Sequence, residues 1–140
     1  MTNVLLPVAG ASALLVNSHG EYLLHLRDDV LGIMNPGAWS LVGGGREEGE
    51  TLDETVAREL DEEVGLQVPG LRPYAVVENR SLDGGATCRV QVYLGVWDGD
   101  PSGLTVSEGI MVRFFDLNTI GRLRMAPWAK DLVLRHAQRH

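Results

Sequence analysis

At 140 residues, the chain is the length of one domain and can bury a single core. Its 44% hydrophobic and 22% charged content is that of an ordinary globular protein. A net charge of −7 excludes a nucleic-acid polymer as the main partner, because such binding needs a basic footprint, although a local basic pocket can still hold a small anion. One cysteine, Cys88, leaves no internal disulfide and no cysteine metal cage, and it is expected as a buried strand residue.

The N-terminal segment is apolar, but no Lys or Arg precedes the apolar run, and Pro7, Gly10 and Ser12 interrupt it, unlike a signal peptide. The run from Val4 to Val16 is too short to span a bilayer, so a first strand, a cytoplasmic location and no membrane partner are expected. ASALLVN and YLLHLRDD flank the turn-like SHGE and read as a hairpin. DDVLGIMNPGAW is a loop, marked by Gly32 and the Asn35-Pro36-Gly37 turn signal, and WSLVGG is a short strand entering glycines. After a helix, LRPYAVVENRS and TCRVQVYLGVW form a second hairpin around LDGGA. IMVRFFDL is a last strand, and APWAKDLVLRHAQRH is a terminal helix with Pro127 in its first turn. Strands interleaved with two helices predict a mixed sheet with a helix on each side, as one domain over 1–140.

The helix between the hairpins lies in GREEGETLDETVARELDEEVGL, residues 45–66. Nine acidic residues fall between Glu47 and Glu63, opposed only by Arg46 and Arg58. Thr51 and Glu54 have capping-box spacing, and Gly65 suits the left-handed position that ends a helix, with Leu66 folding back onto the last turn. At 100° per residue, Val56, Leu60 and Val64 form the buried stripe with Ala57 beside them. Glu59, Glu62 and Glu63 share a neighbouring face, while Glu54 and Asp61 point to solvent. Three carboxylates so close would raise one another's pKa values, and a hard divalent cation removes that conflict; a solvated acidic face is the alternative.

The spacing across the segment is Gly44, five residues, Glu50, seven residues, Arg58-Glu59-Leu60, one residue, Glu62-Glu63, one residue, Gly65-Leu66. This resembles the Nudix box, the signature of a family that hydrolyses nucleoside diphosphates linked to another moiety, and no position departs from it. The flanks NPGAWSLVGGG and SEGIMVRFFDL also resemble the family. The resemblance implies a single-domain α/β fold, an α/β/α sandwich around a mixed β-sheet. It implies metal binding by Glu59, Glu62 and Glu63, with a main-chain carbonyl from Gly43 or Gly44, and Mg²⁺ as the ion with Mn²⁺ as a substitute. Water then attacks phosphorus and a phosphoanhydride bond breaks. Arg58 is implied to orient the box carboxylates, and Glu50 to support the loop and helix. The general base is Glu62 or Glu63 in the box, or Glu108 on a later loop; Glu78 is a weaker candidate for an extra ligand.

For substrate binding, Arg27, Arg80 and Arg89 can clamp phosphates, and Trp39 and Tyr74 can stack on a base. The leaving group stays open among nucleoside triphosphates, sugar nucleotides, ADP-ribose and dinucleotides, with a lean towards a triphosphate or another small nucleotide. His19 and His25 read as ordinary turn and strand residues. The rival readings are a catalytically silent nucleotide sensor and the isomerase branch of the same fold, for which Cys88 lacks a recognisable setting. Family habit allows a homodimer, with no interface legible.

Overall fold

The computed structural model describes residues 7–31, 33, 35–80 and 86–139. The start of the apolar run at Val4, the turn residue Gly32 and residues 81–85 of the second hairpin lie outside the described residues, as does the side chain of Arg80.

The described strands are β1 (Val8–Val16), β2 (Tyr22–Leu26), β3 (Trp39–Ser40), β4 (Val42–Gly45), β5 (Arg72–Arg80), β6 (Ala86–Val96) and β7 (Met111–Phe115). They form one mixed sheet in the order β3-β2-β1-β6-β5, with β4 paired to β1 and β7 to β2. β1 runs parallel to β6, and the other pairs are antiparallel. Helix α1 (Leu52–Val64) covers one face; α2 (Leu117–Ile120) and α3 (Pro127–Arg139) cover the other.

Period-two alternation sorts the strand side chains into two layers. Leu14, Tyr22, Leu24, Val90, Val92 and Leu94 pack with Ile120, Ala129, Leu132 and Val133 on the α3 side. Their neighbours Ala11, Ala13, Leu15, Leu23 and Tyr93 pack with Val56, Leu60 and Val64 on the α1 side. A strand covered on both faces reads as a nearly continuous apolar run, which accounts for the apolar N-terminal segment at β1. No helix among the described residues is long and apolar enough to cross a membrane.

The two-sided sandwich, both hairpins, the last strand and the Pro127 helix start agree with expectation. Three details differ. The single strand expected at WSLVGG is two: Trp39 and Ser40 pair with β2, and after Leu41 the chain crosses to pair Val42–Gly45 with β1. The crossing requires glycine, since a Cβ on Gly43 would collide with the Ala11 carbonyl and Ser12 Oγ. A third helix, α2, follows β7 because Asp116 Oδ1 accepts a hydrogen bond from Thr119 N (2.8 Å) and caps it. Cys88 is half-buried rather than buried, because it packs against the α3-side core at the point where a cleft opens beside it.

Candidate active site

Both ends of α1 are fixed by local hydrogen bonds. Thr51 Oγ1 accepts from Glu54 N (3.1 Å), and Glu54 Oε1 accepts from Thr51 N (2.9 Å). At the other end, Gly65 at φ 66° donates to Asp61 O, and Leu66 N donates to Leu60 O. These anchors set the rotation of the helix. Val56, Leu60 and Val64 therefore face the sheet, and the Glu59 and Glu63 carboxylates arrive at the edge of the core, 9% and 7% exposed.

Arg58 ties this edge together. Its Nε donates to Glu50 Oε2 (2.6 Å) and its Nη2 to Glu50 Oε1 (3.0 Å) and to the Gly45 carbonyl (2.9 Å). Its Nη1 reaches Glu59 Oε1 (2.9 Å) and Glu62 Oε2 (3.1 Å). One guanidinium thus joins the preceding loop, strand β4 and two acids of the box. Glu50 also accepts from Glu47 N and Thr55 Oγ1, and Arg58 foremost holds its carboxyl down at about 2.

Glu59 and Glu63 differ from Glu50 in that burial dominates. Desolvation raises the pKa of Glu59 against the pull of Arg58. Burial, then the charges of Glu59 and Glu108, pushes Glu63 up to about 8. The two carboxyls lie side by side, so each raises the cost of charging the other, and burial drives both upward. Glu63 also receives a hydrogen bond from the Gly43 main chain, yet its Oε2 is buried with no partner among the described residues. Gly44 makes room for this pair: a Cβ there would lie 2.6 Å from the Glu59 carboxyl.

Glu62 is placed differently, its side chain 58% exposed and turned onto Arg58. Among the described residues, no three acidic, histidine or cysteine side chains are already gathered as ready-made metal ligands. Two carboxyls adjoin, and the third is held aside by the arginine. Glu108 is exposed on the loop before β7; Ser107 N, next to it, donates to Glu63 O (2.7 Å).

A cleft of about 210 Å³ opens against the same glycines. Gly43, Gly44 and Gly45 form one wall, and Arg27, Asn79, Cys88 and Trp128 are among the others. Of the residues expected to bind substrate, the structure brings Arg27 to this cleft. Trp39 and Tyr74 belong instead to the α3-side core: Trp39 packs edge-on against Phe115 (4.7 Å between centroids), and Tyr74 packs against His136 (5.4 Å). Strand pleating points them into the α3 layer. Arg89 stands in register with Glu78 across β5 and β6, outside the cleft lining.

Sequence reading passed over Asn79 and Trp128. Asn79 Oδ1 is buried and has no partner among the described residues. Trp128 reaches the cleft because the segment before α3 docks on β3, with Trp39 N donating to Arg124 O and Ala126 N to Trp39 O. The Pro127-Trp128 helix start was legible; the docking that aims the indole was not.

The NUDIX domain model matches residues 6–136. The nucleoside triphosphatase NudI of Enterobacter sp. (strain 638) is 40% identical over 63 residues, 44% of this chain and 44% of that protein. The match therefore spans less than half the length of that curated relative. Among solved structures, the MutT protein of Methanosarcina mazei Go1 is 27% identical at a TM-score of 0.75, covering 98% of each chain. The NUDIX domain of Shewanella oneidensis NrtR, solved with ADP ribose, has the same fold at 20% identity and a TM-score of 0.75, covering 99% of this chain and 90% of that one.

Proposed function

Because the chain belongs to the Nudix family, we propose that it hydrolyses a phosphoanhydride bond of a nucleoside triphosphate or similar small nucleotide, using a divalent cation. The observation that carries this reading is the Glu59–Glu63 pair, two buried carboxyls packed against the glycine turn that walls a cleft. A buried, mutually repelling acid pair is costly for the fold and has a use where charge must be neutralised.

The residues fit Mg²⁺ in their chemistry. The donors are hard oxygens, Glu63 Oε2 has no partner among the described residues, and the backbone at Gly44 lies against the Glu59 carboxyl. Glu59 and Glu63 would hold the ion with a main-chain carbonyl of Gly43 or Gly44, and Glu62 would join on leaving Arg58. When bound, the ion neutralises the phosphate chain and favours displacement at phosphorus.

The chain's own groups do the rest. Arg58 keeps Glu59 and Glu50 in place. Arg27 meets phosphate oxygens at the cleft, and Trp128 and Asn79 contact the nucleoside. Glu108 takes a proton from the attacking water. The water oxygen bonds to phosphorus, the bridging P–O bond breaks, and a nucleoside monophosphate leaves with pyrophosphate or a phosphorylated partner. The triphosphate preference draws on the likeness to NudI over 63 residues.

The test is phosphate release, after a coupling pyrophosphatase or phosphatase, from nucleoside triphosphates, sugar nucleotides, ADP-ribose and dinucleotides with Mg²⁺. Turnover of one class that Glu62→Gln and Glu63→Gln abolish supports the proposal. Tight binding without turnover of any member would assign the same fold to a sensor.

A further inference from the structure

His25 was expected to be an ordinary strand residue. In the structure it is 4% exposed on β2, between Leu24 and Leu26, and its Nε2 lies 2.6 Å from the main-chain carbonyl of Glu108. A carbonyl can only accept, so the ring nitrogen facing it carries the hydrogen. Burial lowers the pKa of the ring, which therefore stays neutral with its one N–H on Nε2.

The segment that bears Glu108 joins the 3-10 turn Pro101–Gly103 to β7 and has no regular structure of its own at residue 108. It is pinned residue by residue. Ser107 N bonds Glu63 O, Gly109 N bonds Asp28 Oδ2 (3.3 Å), and Ile110 N bonds Leu26 O (2.8 Å). At residue 108 itself the anchor is His25. The ring also fills the space that a side chain at position 109 would need: Gly109 has φ +88°, and a Cβ there would collide with His25 Nε2. Imidazole and glycine fit together, and their fit fixes where the Glu108 backbone runs past the end of α1. Ser107 N, 2.7 Å from Glu63 O, sets Glu108 next to the turn of α1 that bears Glu63.

We infer that His25 is a positioning residue for hydrolysis, its Nε2–H holding the Glu108 main chain so that the Glu108 carboxylate stays beside the Glu59–Glu63 pair. The inference rests on the reading of Glu108 as the proton acceptor. His25 itself touches neither water nor phosphate.

The amide of glutamine ends at nearly the same distance from the backbone as Nε2 of histidine, whereas that of asparagine ends at the position of Nδ1. His25→Gln therefore keeps a donor to Glu108 O, and His25→Asn loses it. Steady-state kinetics with the best substrate among the standard ribo- and deoxyribonucleoside triphosphates, in Mg²⁺, separates the outcomes. His25→Asn is expected to lower kcat by about 10²-fold, the loss typical of a misplaced catalytic group, with KM little changed. His25→Gln is expected to restore most of kcat. Glu108→Gln should lose about 10²–10⁴-fold, and His25→Asn added to it should cost little more, since both act through one carboxylate.

Wild-type kcat in His25→Asn overturns the inference, and so does a His25→Gln protein as slow as His25→Asn. If His25→Asn does not fold, Gly109→Ala, which pushes the same carbonyl off an intact ring, must show the kcat loss or the inference fails. Full activity in Glu108→Gln refutes instead the role of Glu108 on which the inference rests.

Discussion

Both faces of the sheet bury polar side chains, and His136 and Glu63 stand at opposite ends of how such burial is treated. On the α3 face, His136 is 6% exposed, with its Nδ1 2.8 Å from Tyr22 Oη and its ring edge-on to Tyr22 and Tyr74. On the α1 face, Glu63 is 7% exposed, faces the like charges of Glu59 and Glu108, and keeps an oxygen without a partner among the described residues. Satisfied polar burial adds rigidity and specificity to a core; unsatisfied polar burial weakens the fold and persists where function uses it. Burial alone thus does not mark a site; the accounting of partners does.

The largest expected effect tests that contrast directly. Glu63→Gln should lower kcat by more than ~10²-fold, beyond the loss typical of a group one step removed from a metal because Glu63 would hold the ion itself, and should raise the melting temperature by relieving the buried acid pair. His136→Phe should do the reverse, lowering the melting temperature through Tyr22 while leaving kcat near wild type. A Glu63→Gln protein that is both active and less stable would make the two faces equivalent and remove the basis of the contrast.

Arg58→Lys comes next. A lysine presents one compact charge and cannot reach Glu50, Glu59 and the Gly45 carbonyl at once as the guanidinium does. An activity loss of about 10–100-fold is expected, with weaker Mg²⁺ dependence measurable as a shift in the half-saturating metal concentration. Unchanged activity would reduce the network to a surface ion cluster.

The pH dependence of stability follows from Glu63 with a definite sign. Its folded pKa of about 8 lies above the ordinary value of 4.5, so between these the folded protein holds a proton that the unfolded chain has released. That contribution is fully present below about 4.5 and is lost as pH rises through about 8. Melting temperature in EDTA should therefore fall across this window, and Glu63→Gln should flatten the fall. Glu50, held at about 2, works the other way, its contribution being lost as pH falls below 4.5 towards 2. Because the two windows do not overlap, a thermal melt series separates the acids.

Much of the α1 face was legible in sequence, because a helix with marked ends has a calculable rotation. Thr51, Glu54 and Gly65 fixed the register, the 100° step gave the Val56-Leu60-Val64 stripe, and the box spacing named the acids. The 100° step also puts Glu63 nearest the stripe, as observed; what it could not give was that Glu59 is buried and Glu62 exposed, which depends on Gly44 and on the bonds of Arg58. The cleft was far less legible. Trp39 and Trp128 both follow a proline closely in sequence and both pack against the α3-side core, but docking of the 124–126 segment on β3 brings Trp128 to the cleft as well. His25 was undervalued for the same reason, its partner lying 83 residues away at Glu108.

The smallest effect asks whether α1 can lose stability without losing its chemistry. Thr51→Ala removes the hydroxyl that accepts from Glu54 N and leaves that N–H to solvent at the exposed first turn. N-cap losses of this kind cost about 1 kcal/mol, and a melting curve or urea midpoint would register it. The carboxyls of Glu59 and Glu63 lie two and three turns further along, and Gly65, Arg58 and the sheet contacts of Val56 and Leu60 still hold the helix rotation. Fraying of one turn does not pass through those anchors, so kcat should stay near wild type while stability drops. If kcat falls with it, the acid pair depends on the whole helix end rather than on Arg58, Gly44 and the core stripe, and the site is less locally built than its hydrogen bonds indicate.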